Sequence, residues 1–204
     1  MRLYVIPFST NVERVALALG HKGLAAERVQ VDQADRTPVR AVSGQDLVPV
    51  LEDGSAVVVD SSTIVAHLER RFPERPLFPA QPARRAEMEL FVEWFDEVWK
   101  GPPNAIAGEL ERPQPDAARV RELSRRLERW LDRFEAMLDR RSYLMGDELS
   151  AADCAAFPFL RYALGRPVGD DELFHRVLER HQRLGAGHPR LREWIRRVDE
   201  HPRG

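Results

Sequence analysis

Three short stretches carry the side chains best suited to chemistry: Ser9-Thr10, Val48-Pro49 and Asp60-Ser61-Ser62. Ser9 and Thr10 place two hydroxyls in a loop between a strand and a helix. There, unpaired backbone N–H groups at the helix start make a site that favours negative charge. Asp60, Ser61 and Ser62 open a second helix and set acceptor and donor side chains beside another group of free N–H donors. Both stretches also have a plain structural reading. Thr10-Asn11-Val12-Glu13 fits a capping box, Ser9 can serve as a helix cap, and Asp60-Ser61-Ser62 are N-cap residues. Capping and binding can coexist.

Pro49 is the odd residue, because proline removes a ladder donor and is restricted to edges, strand starts and special turns. A cis Val48-Pro49 bond would turn the N–H and C=O of Val48 outward, ready to pair with an extended ligand. A trans proline at the start of an edge strand is the simpler alternative, and spacing alone favours it.

The elements that must position these residues follow from periodicity. Arg2 to Ile6 reads as a strand ended by Pro7, and Val12, Val15, Ala16 and Leu19 follow at helical spacing up to Gly20. Arg28 to Val31 is a second strand, so strand–helix–strand implies a right-handed parallel crossover. Residues 33 to 46 are polar and turn-rich and read as mostly loop. Val48 to Leu68 is strand, Asp53-Gly54 hairpin, strand and helix. Ala56 to Val59 is apolar at every position, as expected of a strand covered on both faces. Tyr4 lies too early for the loop and is assigned to the strand.

Pro73, Pro76, Pro79 and Pro82 punctuate a linker with its boundary near residue 80, dividing the chain into domains 1–78 and 79–204. Everything beyond is helical by pattern. Met88, Phe91, Val92, Phe95, Val98 and Trp99 form one long amphipathic helix, broken at Gly101-Pro102-Pro103. Val120 to Leu138 forms another, with arginines and glutamates outside. Ser150-Ala151-Ala152-Asp153 is a capping-box variant, so Asp153 is a folding residue, and Cys154 is core. Leu173 to Leu184 and Leu191 to Val198 supply two more helices.

Composition narrows the function. The chain is 43% hydrophobic and 31% charged, with a formal net charge of −2, which gives no long-range pull toward nucleic acid or anionic membrane. Among 31 basic residues only Lys22 and Lys100 are lysines, a bias read as genomic. One cysteine excludes an internal disulfide. With no cysteine pair, a reducing, cytoplasmic setting is expected; no charged-then-apolar leader is read before the first strand, and no long apolar run could span a bilayer. His175 and His181 are six apart, not a ligand spacing on one helix face, and no metal site is expected.

VP-V-L, the D-G hairpin, DSSTI and PFSTNVERV together resemble the glutathione transferase superfamily, cytosolic type with a serine-type active-site segment. The resemblance implies a thioredoxin-like α/β N-terminal domain (βαβ–ββα), an all-α C-terminal helical bundle and a homodimer. Carried over by position, it implies that Val48, before a cis Pro49, pairs with the cysteinyl backbone of glutathione, the co-substrate. Asp60 and Ser61 then hold the γ-glutamyl end, its amine on Asp60 and its carboxylate on Ser61 and the helix start. Ser9, with Thr10 as second candidate, donates a hydrogen bond to the glutathione sulfur and favours thiolate. The SAAD stretch resembles the N-capping motif of the superfamily's central C-terminal helix. One departure stands out: the Gly-Lys or Gly-Gln that many members carry before Val-Pro is replaced by Gln45-Asp46-Leu47. Asp46 would repel the glycyl carboxylate, leaving Gln45 or Arg40 as substitutes. Walls of a pocket for a small hydrophobic electrophile, expected between the domains, are sought in Phe8, Phe95, Trp99 and Pro103, more of which are expected to be core than ligand contacts.

The activity implied is conjugation of the glutathione thiolate to that electrophile. The rivals are a thiol-dependent isomerase or dehalogenase and a non-catalytic binding or regulatory protein on the same fold.

Overall fold

The computed structural model describes all residues, 1–204, and the chain forms two units. The first comprises Met1–Pro82 and, returning from the far end of the chain, His201–Gly204; the second comprises Ala83–Glu200.

The first unit is built on a four-stranded sheet of order β2-β1-β3-β4. Its strands are β1 (Arg2–Val5), β2 (Glu27–Gln30), β3 (Val50–Asp53) and β4 (Ala56–Val59). β1 runs parallel to β2 and antiparallel to β3, and β3 runs antiparallel to β4. Three helices complete the unit: α1 (Thr10–Lys22), α2 (Thr37–Ser43) and α3 (Ser61–Arg71). This is the thioredoxin-like βαβ–ββα order.

Alternation along the strands divides the core. Tyr4, Ile6 and Val50 pack with Val39 of α2 and with Val31. Their neighbours Leu3 and Leu51, fully buried and paired across β1 and β3, point to the opposite face. Tyr4 is a core residue at 4% exposure, its hydroxyl donating to Glu52 at 3.0 Å.

Two local expectations change. The 33–46 stretch contains a true helix, α2, with Pro38 in its first turn, where the missing N–H does no harm, and Gly44 (φ 75°) ending it in the left-handed region. β4 is not covered on both faces. It is an edge strand whose exposure alternates, and Val57 and Val59 stand 45% and 37% exposed. A uniformly apolar run of four could not reveal that.

Lys22, at the end of α1, is fixed to the end of α3. Its Nζ lies 2.6 Å from Glu69 and donates to the carbonyl of Phe72 at 2.8 Å. The chain's last residues settle on α1: the Gly204 N–H donates to the carbonyl of Ala16 (3.1 Å), and Arg203 Nε donates to Glu13 (2.8 Å). Gly20 makes this approach possible, because a Cβ there would lie 1.9 Å from the Pro202 carbonyl oxygen. Nothing in the sequence pattern marked residues 201–204 as part of this unit.

The second unit contains only helices: α4 (Pro82–Trp94), α5 (Gly101–Leu110), α6 (Ala117–Met137), α7 (Ala151–Leu160), α8 (Leu173–His181) and α9 (Pro189–Asp199). Between α4 and α5, Phe95–Trp99 takes a wider π-helical turn. Gly101-Pro102-Pro103 is therefore not a break into loop: both prolines sit in the first turn of α5, where they lack no bond the helix needs. Asp153 organises the unit. Its carboxylate accepts from the N–H groups of Leu144 and Ser150, from the Ser150 hydroxyl and from Trp194 Nε1, at 2.7 to 2.9 Å. No helix is long and apolar enough to cross a membrane.

Candidate active site

Strand register brings the three chemistry-bearing stretches to one end of the sheet. Tyr4 pairs with Val50, and Val50 pairs with Val59. Just beyond that row lie Ile6 to Ser9 after β1, Pro49 and Val48 before β3, and Asp60-Ser61 after β4. Because β1 and β4 both run antiparallel to β3, α1 and α3 begin at this same end. Two sets of helix N–H donors therefore flank the start of β3.

Ser9 is the N-cap of α1, and its Oγ accepts from the Val12 N–H at 3.4 Å. The cap uses a lone pair and leaves the hydroxyl proton as a donor. Thr10, the first helical residue, is 8% exposed, so Ser9 is the more open of the two hydroxyls. Asp60 is the N-cap of α3, and its Oδ1 accepts from the Thr63 N–H at 2.9 Å. Ser61, the first residue of α3, is only 3% exposed, so what lies open here is the helix start more than its hydroxyl. The Val48–Pro49 bond is cis, as the family resemblance implied and contrary to the trans form that spacing alone favoured. No main-chain bond outside the helices and strands engages the N–H or carbonyl of Val48.

Backbone conformation marks the same place. Of four non-glycine residues with positive φ, two are here: Phe8 (61°) and Asp60 (69°). Such conformations cost on the order of 1–3 kcal/mol and concentrate at functional sites.

Arg14 is a site neighbour that sequence reasoning missed. It is 1% exposed, and its Nη1 donates to Ser62 Oγ at 2.6 Å, tying the first turns of α1 and α3 together. The available signal was an arginine adjoining the apolar stripe of α1.

At the other proposed anchor, Arg40 Nε and Nη2 donate to both oxygens of Asp46 at 2.7 and 2.8 Å. That hydrogen bonding holds the Asp46 carboxyl below its ordinary range. The expected repulsion from Asp46 is thus offset, but the guanidinium of Arg40 is already engaged. Gln45 Nε2 reaches the Leu47 carbonyl at 3.5 Å, a weak bond that leaves the amide easily redirected.

Of the four candidate pocket walls, three belong to the core. Phe8 is 40% exposed, yet Phe95 and Trp99 are 0% and 1% exposed. Those two rings stack at 4.4 Å inside the helical unit, and Phe159 packs edge-on against both. The π-helical turn points them into the core, and Pro103 is buried too.

Comparison with known proteins gives the same answer as the geometry. Residues 3–76 match the family model described as "Glutathione S-transferase, N-terminal domain", and residues 117–197 match "Glutathione S-transferase, C-terminal domain". Glutathione S-transferase 3 of Zea mays is 36% identical over 166 residues, 75% of this chain and 73% of that protein. FtsZ-localized protein A of Caulobacter vibrioides is 29% identical over 166 residues, 76% and 73% of the two chains. Among solved structures, a glutathione S-transferase from Rhodospirillum rubrum F11 superposes with a TM-score of 0.75 at 25% identity, covering 98% of this chain and 88% of that one. Sheet order, paired helix starts and sequence identity thus converge, and the chain belongs to the glutathione S-transferase superfamily.

Proposed function

We propose that this protein binds glutathione at the sheet end described above and activates its thiol for attack on a small hydrophobic electrophile. The observation that carries this reading is the Tyr4–Val50–Val59 row, beyond which Ser9, Val48 and Asp60 gather. In this scheme the cysteinyl backbone of glutathione pairs with Val48 like an added strand. Its γ-glutamyl amine meets Asp60, and its carboxylate meets the N–H groups opening α3. Gln45 takes the glycyl carboxylate. The Ser9 hydroxyl donates to sulfur, and with the positive end of α1 it stabilises the thiolate, whose proton passes to solvent. The sulfur lone pair then forms the new bond to carbon, and the leaving group departs with the displaced electron pair. Ser9 moves no proton itself, so catalysis is ionisation and positioning. A homodimer is part of the proposal.

The test is turnover of a model aryl halide with glutathione, comparing wild type with Ser9→Ala. Thiol-dependent turnover that the substitution lowers, with glutathione still bound, supports the proposal. A second reading, a non-catalytic binding protein, is favoured by one relative named for localisation with FtsZ rather than for a reaction. Tight binding of an apolar ligand without thiol-dependent turnover would select it.

A further inference from the structure

The second unit carries an open basin of about 550 Å³, lined by Tyr162, Gly165, Arg166, Arg176, Arg180 and Arg183 among others. Its lining holds four arginines and a single carboxylate, Glu179, a local balance of +3 on a chain whose net charge is −2. Spacing explains the gathering. Arg176 and Arg180, at i and i+4, share one face of α8, and Arg183 follows two residues beyond the helix end and lines the same basin.

The carboxylates nearest the basin, Glu179 in its lining and Asp171 at its edge, both face Arg166, Asp171 at 3.9 Å. Glu179 accepts from Arg166 Nε at 2.7 Å, and that hydrogen bond holds its carboxyl below the ordinary range. Arg176, Arg180 and Arg183 are all exposed, and none lies within ion-pairing distance of a carboxylate, although the charge of Arg183 still reaches Glu179. Like charges at i, i+4 destabilise a helix. The macrodipole offsets that for Arg180 in the last turn, but not for Arg176 one turn earlier.

From this we infer that the basin is a binding site for a small molecule carrying two or more phosphoryl groups. Three exposed arginines line a volume within the range of small-molecule pockets, and a guanidinium fork matches the paired oxygens of a phosphoryl group. An anion seated there relieves the repulsion along α8. The few uncharged walls leave binding to depend on charge, so affinity falls as salt rises. Every lining residue lies outside the proposed thiol site, and the inference does not rest on that reading.

The experiment is isothermal titration of the full chain with inorganic pyrophosphate at low salt, with citrate as a carboxylate control. The expected result is saturable binding of one pyrophosphate per chain, weakened about threefold to tenfold in each of Arg176→Ala, Arg180→Ala and Arg183→Ala. Arg129→Ala, on the exposed face of α6, should bind like wild type. Absence of saturable binding, equal affinity in all four variants, or citrate binding as tightly as pyrophosphate would each overturn the inference. Matched circular dichroism spectra for the variants exclude misfolding as the cause of weaker binding.

Discussion

Ser9 and Asp60 hold equivalent places at one end of the sheet. Each closes the loop after a strand, and each accepts an N–H from the first turn of the following helix, Val12 at 3.4 Å and Thr63 at 2.9 Å. The two caps aim two helix starts at the space beside Pro49, and they differ in what they leave over. Ser9 keeps a donor proton, and Asp60 keeps a negative charge.

That difference predicts separable effects. Ser9→Ala should lower turnover about 10- to 100-fold by removing one hydrogen bond to a charged sulfur, with little change in glutathione affinity. Its stability loss should be small, about 0.5–1 kcal/mol, because the cap bond is long. Steady-state kinetics beside urea unfolding would read both quantities.

Asp60→Ala should instead raise the KM for glutathione more than it lowers kcat, as expected when ground-state binding is removed. Asp60→Gly should unfold at higher urea than Asp60→Ala. Glycine accepts φ 69° without strain and is itself a tolerable cap. Equal stability of the two variants would mean that the backbone at residue 60 is not constrained as described.

The Lys22–Glu69 pair should be among the most sensitive points of the first unit. The Lys22 side chain is fully buried, and Glu69 also accepts from the N–H groups of Leu77 and Phe78. Lys22→Met leaves a carboxylate in a largely covered site, and a loss of about 3 kcal/mol is expected. Denaturant unfolding of the single and double variants with Glu69→Gln would show strong coupling; additive losses would argue against it.

Gly20→Ala should push residues 201–204 off α1, since the Cβ would strike their main chain, which cannot turn aside as a flexible side chain could. Removing residues 201–204 should destabilise wild type measurably and the Gly20→Ala variant hardly at all. Thermal unfolding of the four proteins completes that cycle.

Stability should decline on mild acidification. Burial, then the charges of His201 and Lys22, lowers the pKa of His21; burial, then Arg180 and Arg183, lowers that of His181. Both rings are favoured neutral in the fold. Their contribution is present above the ordinary value near 6.5 and is lost as pH falls through the lower folded values. Unfolding free energies at pH 7.5 and 5.5 should differ in wild type and differ less in His21→Gln/His181→Gln.

Much of this arrangement was legible in the sequence, for physical reasons. The D-G turn, the proline at the start of β3 and the caps at Ser9, Asp60 and Ser150 are local signals, set by backbone conformation and hydrogen bonding within a few residues. The exposed face of β4, the π-helical turn at Phe95–Trp99, and the return of residues 201–204 to α1 were not legible. Each depends on which neighbour is present, or on one extra residue in a helical turn, and neither leaves a mark in residue spacing. Arg14 was missed for a related reason: a buried arginine looks like any helical arginine until its partner on α3 is known.

If Ser9 and the start of α1 keep a bound thiol anionic, titrating the ultraviolet absorbance of the thiolate in the glutathione complexes of wild type and Ser9→Ala will show it. The wild-type thiol pKa should lie at least about one unit below the free value near 8.5 and move back toward that value in the variant. Superimposable titrations of the two proteins, or a bound thiol that ionises no more readily than free glutathione, would mean that this hydroxyl does not hold the thiolate.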